Sequence, residues 1–293
     1  GQSRDGRPVH CKRPCLTSLL TERNAMKVLA PVLLTLLLLH VAHARYRQPE
    51  KEEAADRRLG SPETGGEMEK LIGDLQQYTI QGFGPALKSE RIIAAMRKVD
   101  RGKYVKQQKY INEPTDISHG QTISAPHMHA AALELLKDHL TEGSSALDVG
   151  SGSGYLTVCM ARLVGILDDN NQVHEDKGKV AGIDVIPELV KTSKENVKND
   201  VGPELLEADN FKLEEGDARK GFPPFAPYDA IHVAAAAPSV PPQALIDQLK
   251  PGGKMVIPVG PKEGPQDLYE VTKDASGHTR QKKIFGVRYV SLV

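Results

Sequence analysis

The sequence predicts an α/β fold, a doubly wound parallel sheet of Rossmann type preceded by an N-terminal helical segment. Three observations point there. From about Ala146, short apolar runs alternate with helical patterns; the runs are "ALDVG", "KVAGIDV", "FKLEEGDA", "YDAIHVAAAA" and "KMVIPVG". The first run opens into a glycine turn, "GSGSG", with a helical pattern following from about Tyr155. The conspicuous polar positions, Asp148 to Gly154, Asp184, Asp217 and the turn at Ala236–Pro238, fall at the carboxyl ends of the runs, where such sheets bind ligands.

In chain order, residues 1–25 lie upstream of the first methionine, Met26, and read either as an extension or as untranslated message rendered as protein. Residues 26–44, "MKVLAPVLLTLLLLHVAHA", have a basic start, an apolar centre and small residues at Ala42 and Ala44. That is the grammar of a secretory leader, and the apolar stretch is short for a membrane span. Residues 45–66 are charged and rich in Pro and Gly, which reads as a flexible linker. The remaining domain is expected over 67–293. It starts with helical periodicity near Met68, with Leu71, Leu75 and Tyr78 on one face. Ser89 is placed to cap "ERIIAAMRKV", whose Ile92, Ile93, Met96 and Val99 form an apolar stripe. Between Ile166 and Lys179, "ILDDNNQVHEDKG" reads as a polar surface loop.

Composition narrows the function classes. Lysine plus arginine and aspartate plus glutamate both number 38, so no net field draws the chain to nucleic acid or to membrane. Aromatics are 4% and tryptophan is absent, which counts against base-stacking platforms. Cys11 and Cys15 form a lone CxxxC without a second pair, which argues against zinc, and Cys159 falls in an apolar helical pattern as a small core residue. No metal site and no disulfide framework are expected.

The segment "QTISAPHMHA" at 121–130 places two hydroxyls, a proline and two histidines before an apolar run. His127 and His129 are two residues apart, which on a helix points them roughly 200° from one another and excludes a shared metal. Pro126 suits a first helical turn with Ser124 or Ala125 as cap, and Met128, Ala132 and Leu135 are the expected buried side. The glycine loop excludes three nucleotide motifs. A P-loop needs a lysine that is not there, a nucleophile elbow needs serine where Gly152 stands, and a dinucleotide fingerprint needs glycine where Tyr155 stands. S-adenosylmethionine remains, because its sulfonium end carries no pyrophosphate. Asp184 then suits both ribose hydroxyls, and Asp217 or the following amide suits the adenine edge.

With those residues in view, the chain resembles the protein-L-isoaspartate (D-aspartate) O-methyltransferase family. The resemblance rests on "VDRGKYV", "TISAPHMHA", "ALDVGSGSG", "YDAIHVAAAAP" and "ALIDQLKPGGKMVIPVG" and runs from about Met68 to the end. It implies methyl transfer from S-adenosyl-L-methionine to the free α-carboxyl of isoaspartyl and D-aspartyl residues in damaged proteins, initiating repair. Carried over by position, Ser124 is the active-site serine. Gln121, Thr122, Ile123, Ser124, His129, Ser153, Asp184, Val185, Asp217 and Ala218 line the cofactor pocket, beside Asp148, Gly150, Gly152 and Gly154 of the loop. Ala218 stands where a glycine is frequent, the 166–179 insert is longer than usual, and relatives continue beyond the position of Val293 into a tail. Family resemblance implies a cytoplasmic monomer acting on isoaspartyl proteins, with no nucleic acid or membrane partner. The leader grammar points instead to the secretory pathway.

The chemistry assigns Ser124 its task. The acceptor carboxyl resembles a chain terminus with a pKa of roughly 3.3–3.7, so it is ionised at neutral pH and needs no general base. Its attack on a sulfonium methyl annihilates charge, which a dry pocket favours. Alignment is what the protein must add, and a neutral hydroxyl can orient a carboxylate without protonating it. Two other readings are a methyltransferase for an amine or hydroxyl, with His127 or His232 as base, and a non-catalytic interaction protein of the same fold.

Overall fold

Helical spacing of Met68, Leu71, Ile72 and Leu75 produces the first element, α1 (Pro62–Gln77), in the computed structural model, which describes residues 62–292. The readings of 1–25 and 26–44 lie outside the described residues. The last residues of the expected linker, Pro62–Gly66, already belong to α1. A small antiparallel pair, β1 (Thr79–Ile80) and β2 (Gly84–Pro85), leads to α2 (Glu90–Arg97). Ser89 is the residue before α2, but its hydroxyl makes no cap. It donates instead to the carboxylate of Glu134 at 2.7 Å, and the same carboxylate accepts the backbone N–H groups of Lys88 and Ser89. One buried acid thus ties the start of α2 to a helix elsewhere in the chain.

A 3-10 turn at Arg101–Lys103 follows, and then the hairpin β3 (Thr115–Asp116) and β4 (Thr122–Ile123). The hairpin delivers the chain to α3 (Pro126–Leu136), with Pro126 in its first turn and Ala125 before it. The buried side of α3 differs from the expected one. Met128 and Leu135 are half-buried, whereas His129 to Glu134 and Leu136 are buried, because sheet and helical segment enclose α3 from two directions.

The main sheet has seven strands in the order β11-β10-β9-β8-β5-β6-β7. The parallel part comprises β5 (Ser145–Val149), β6 (Lys179–Asp184), β7 (Phe211–Glu215), β8 (Tyr228–Val233) and β9 (Leu249–Val259). Each coincides with one of the five apolar runs. Helices α4 (Tyr155–Leu163), α5 (Pro187–Val201), α6 (Glu204–Glu207) and α7 (Gln243–Gln248) connect them. β10 (Gln266–Lys273) and β11 (Thr279–Val287) add an antiparallel edge that the apolar pattern does not announce. β11 alternates too weakly to be found by pattern, since Thr279 to Lys283 are all exposed. Central strands are buried on both faces: Leu147 and Ile231 belong to one apolar layer, Ala146 and Ala230 to the other. Full burial of a leucine or isoleucine is worth roughly 1.5–3 kcal/mol, so this double layer holds the strand ends in fixed positions.

The insert between α4 and β6 is anchored rather than loose. Ile166 and Leu167 are buried, Leu167 bridges Val173, and one oxygen of Asp168 accepts from the N–H groups of Asn170 and Gln172. Among the described residues no helix is long and apolar enough to cross a membrane.

Candidate active site

The site lies at the carboxyl ends of β5, β6 and β8. After Val149 the backbone must turn sharply into α4, and Gly152 makes this possible. It sits at φ +51°, and a Cβ there would come within 3.1 Å of Ile117 Cδ1 on the hairpin loop. Gly154, before α4, sits at φ +88° with Ser193 of α5 at 3.2 Å from where a Cβ would stand. A side chain at either position would strain the loop or push away the wall that covers it.

Asp184 ends β6 and is nearly buried, with its carboxylate clamped between two loops. One oxygen accepts from Gly152 N–H at 3.0 Å, the other from Ile186 N–H at 3.0 Å. Burial raises its pKa, and the backbone N–H groups that it accepts from oppose the shift. Beside it a cleft of about 160 Å³ is lined by Gln121, Thr122, Gly150, Asp184, Val185 and Ala218, with Val290 to Leu292 closing the far side. Val185 is 42% exposed although apolar. A carboxylate with lone pairs to spare, an exposed apolar side chain and small residues opposite suit a ribose with a flat base beside it.

A second chamber of about 30 Å³ adjoins the first, lined by Thr122, Ile123, Ser124, His129, Asp148, Gly150, Gly152, Ser153 and His232 among others. It is polar, and the buried hydroxyl of Ser151 has no partner there. An orphaned donor beside the glycine loop fits the polar end of an amino-acid-bearing nucleoside. Asp148 forms the floor, where its oxygens accept from the Thr157 hydroxyl at 2.6 Å and meet His232 Nδ1 at 2.8 Å. Adjacent parallel strands place Asp148 and His232 in register, so this pair follows directly from β5–β8 pairing.

The remaining expected residues divide. Gly154 stands outside both cavities and serves helix packing. Asp217 also stands outside them: Arg219 holds its carboxylate through a two-pronged ion pair, 3.0 Å on each side, and keeps its pKa down at about 2. Ala218, the next residue, forms the cleft wall in its place.

On the opposite side of Ser124 an open groove of about 710 Å³ runs between α3 and the chain after β11, lined by His127, Met128, Lys262, Arg288 and Tyr289 among others. The buried amide of Gln266 accepts from Tyr289 N–H at 2.6 Å and donates to Tyr289 O at 3.2 Å. Further on, Ala236 N–H donates to Val290 O at 2.7 Å and Leu292 N–H donates to Ala236 O at 2.9 Å. These bonds hold the Tyr289 phenol against Ser124. Burial pushes its pKa up to about 12, and the nearby Ser124 hydroxyl opposes the shift.

Neither histidine of the "QTISAPHMHA" motif is suited to carry a proton near neutrality. Burial lowers the pKa of His127, whose Nδ1 is 2.9 Å from Asn112 Oδ1 and whose ring stacks on Tyr78. Burial, and then the nearby charge of Arg101, hold His129 well below the usual histidine range. Arg101 and Tyr289 belong to the neighbourhood of Ser124 but are not among the expected site residues, and His232 is expected only as a base in the alternative reading. A polar His232 inside the apolar run "YDAIHV" is a visible signal; Tyr289 has none, being brought in by a strand pair that the pattern does not reveal.

The family model for protein-L-isoaspartate(D-aspartate) O-methyltransferase matches residues 67–293. A protein-L-isoaspartate O-methyltransferase of Caenorhabditis elegans is 47% identical over 229 residues, 78% of this chain and 93% of its own. The enzyme of that name from Triticum aestivum is 44% identical over 232 residues, again 78% of this chain and 93% of its own. Among solved structures, a Plasmodium falciparum protein assigned the same activity, in complex with S-adenosyl-L-homocysteine, superposes with a TM-score of 0.67. It is 40% identical and covers 77% of this chain and 98% of its own.

Proposed function

The chain belongs to the protein-L-isoaspartate(D-aspartate) O-methyltransferase family, and on that premise we propose how its own residues perform the reaction. It is an S-adenosyl-L-methionine-dependent enzyme that methylates isoaspartyl residues of proteins, the first step of their repair. S-adenosyl-L-methionine supplies an electrophilic methyl group on a sulfonium. Asp184 and Val185 would hold the ribose and base side, Ala218 would back the base, and Thr122, Ile123, Ser153, Gly150 and Gly152 would hold the rest.

The isoaspartyl α-carboxylate arrives through the open groove and is already ionised. Ser124 donates a hydrogen bond to one of its oxygens, leaving the other free to form the new carbon–oxygen bond. The products are the methyl ester and the neutral thioether, with no proton transferred in the methyl step. Tyr289 stays protonated beside Ser124 and keeps its hydroxyl turned toward the acceptor. The observation that carries this reading is Ser124's position, between the enclosed cofactor chamber and the open groove. Labelled methyl transfer to an isoaspartyl peptide, with its normal aspartyl twin as control, tests it. Transfer to the first alone is the expected result, and equal transfer to both refutes the assigned specificity.

For the compartment, cytoplasm follows from the family and the secretory route from residues 26–44; the intact mass of protein from secreting cells separates them. The protein acts on isoaspartyl proteins as a monomer, a state that sedimentation checks.

A further inference from the structure

Arg101 is the largest of the fully buried side chains among the described residues. It comes from the 3-10 turn after α2, within "VDRGKYV", and points at the back of the acceptor site. Its Nη2 donates to the backbone carbonyl of Ser124 at 3.0 Å, and its Nη1 stands 3.5 Å from His129 Nδ1. Its Nε has no partner, and the Tyr155 ring is 5.8 Å away. No Asp or Glu among the described residues forms an ion pair with it.

Two nearby groups could compensate its charge by ionising, and neither does so at neutral pH. Burial pushes the Cys159 thiol up to about 12 and the Tyr155 phenol well above its ordinary value. Burial lowers Arg101 itself to about 10, which still leaves it charged at neutrality. A lone cation therefore sits in the core. Such a group costs folding stability, and an apolar side chain of the same shape would serve the fold better. The two buried carboxylates of the site, Asp148 and Asp184, come from the ends of sheet strands. The cation comes from the helical segment behind Ser124. Charge of each sign is thus assigned to a different element.

Resting on the functional reading above, we infer that Arg101 is a positioning residue for the acceptor. Its uncompensated charge, set behind the Ser124 carbonyl and His129, draws the isoaspartyl α-carboxylate to the Ser124 hydroxyl. The carboxylate brings near this cation a negative charge that the protein alone does not supply. Arg101 acts through Ser124 and His129 rather than by contact. Its bond to the Ser124 carbonyl also fixes the backbone from which the hydroxyl projects.

The test compares the native protein with Arg101→Lys, Arg101→Met and Arg101→Gln, each loaded with S-adenosyl-L-homocysteine. Two peptides are titrated, one isoaspartyl and the other identical except that its α-carboxyl is an uncharged amide. The native protein should bind the carboxylate peptide at least about tenfold more tightly than the amide. Arg101→Met and Arg101→Gln should narrow that ratio to under about threefold, while S-adenosyl-L-homocysteine affinity stays within about threefold of native. Arg101→Lys should keep most of the preference. An undiminished carboxylate preference in either uncharged variant overturns the inference. So does misfolding of both uncharged variants beside a folded lysine variant, because the charge would then serve the fold. If the native chain methylates no isoaspartyl peptide at all, the functional reading fails first, which the methylation assay reports separately.

Discussion

The proposed cofactor side and the proposed acceptor side of the site meet at Ser124 and are built in different ways. The cofactor side comes from consecutive strand ends and their loops: Gly150 to Ser153 after β5, Asp184 and Val185 after β6, Ala218 after β7. Its hydrogen bonds link backbone to one carboxylate, as Asp184 does with Gly152 and Ile186. The acceptor side gathers Arg101 from the helical segment, Ser124 from just before α3, and Tyr289 from beyond β11. Its contacts run between side chains far apart in the chain. The first side is thus a local motif repeated along a sheet edge, and the second exists only once the whole domain has closed.

On that division, substitutions on the two sides should separate cofactor affinity from turnover. The largest effect is expected for Asp184→Ala. Losing the charged acceptor should weaken S-adenosyl-L-homocysteine binding by about 1.5–3 kcal/mol, measured by calorimetry. Unchanged affinity in a folded variant would remove Asp184 from the cofactor side.

Ser124→Ala should do the reverse. It should lower kcat by about 1–3 kcal/mol, the scale of a hydrogen bond to a charged group, with cofactor affinity nearly intact. The Arg101 bond survives because it is to the Ser124 backbone. A matching loss of cofactor affinity would show that the two sides are not separable at this residue.

Tyr289→Phe sharpens the comparison at smaller scale. It removes a neutral hydroxyl partner of Ser124, so kcat/KM should fall by about 0.5–1.5 kcal/mol. The Gln266 bonds to the backbone remain, and stability should change little.

The smallest effect is on pH-dependent stability. His129 has its pKa lowered in the folded protein, mainly by burial. In the unfolded chain its pKa is about 6.5, so below that pH the unfolded state takes up a proton that the folded state refuses. Its contribution is therefore complete above about pH 6.5 and is lost as pH falls toward the lowered folded value. Urea midpoints of native protein and His129→Asn, followed from pH 7.5 to about 5.5, should show the steeper decline in native protein. Parallel slopes would mean that His129 is not held neutral.

Much of the frame of the proposed cofactor side is legible in the amino-acid sequence alone. The five apolar runs are the five parallel strands, the glycine turn is the loop into α4, and Asp184 stands at its strand end. Those features depend on short continuous apolar runs and on glycine backbone freedom, properties that neighbouring residues carry by themselves. Ser124 is reached through family resemblance, and chemistry supplies its role. Asp217 has the right place in the pattern, but Arg219, two residues on, holds its carboxylate outside the cleft. That outcome depends on side-chain competition, which position in a motif does not express.

By itself, then, the sequence determined the parallel sheet, the glycine cradle and the class of cofactor. Only the tertiary structure decided the antiparallel edge, the seating of Tyr289 against Ser124, and the burial of a lone guanidinium behind it. The reason is physical. Strand periodicity and turn chemistry are local terms, set by residues a few positions apart. The charge environment of Arg101 and the reach of Tyr289 are sums over segments far apart in sequence, fixed only when burial removes water from between them.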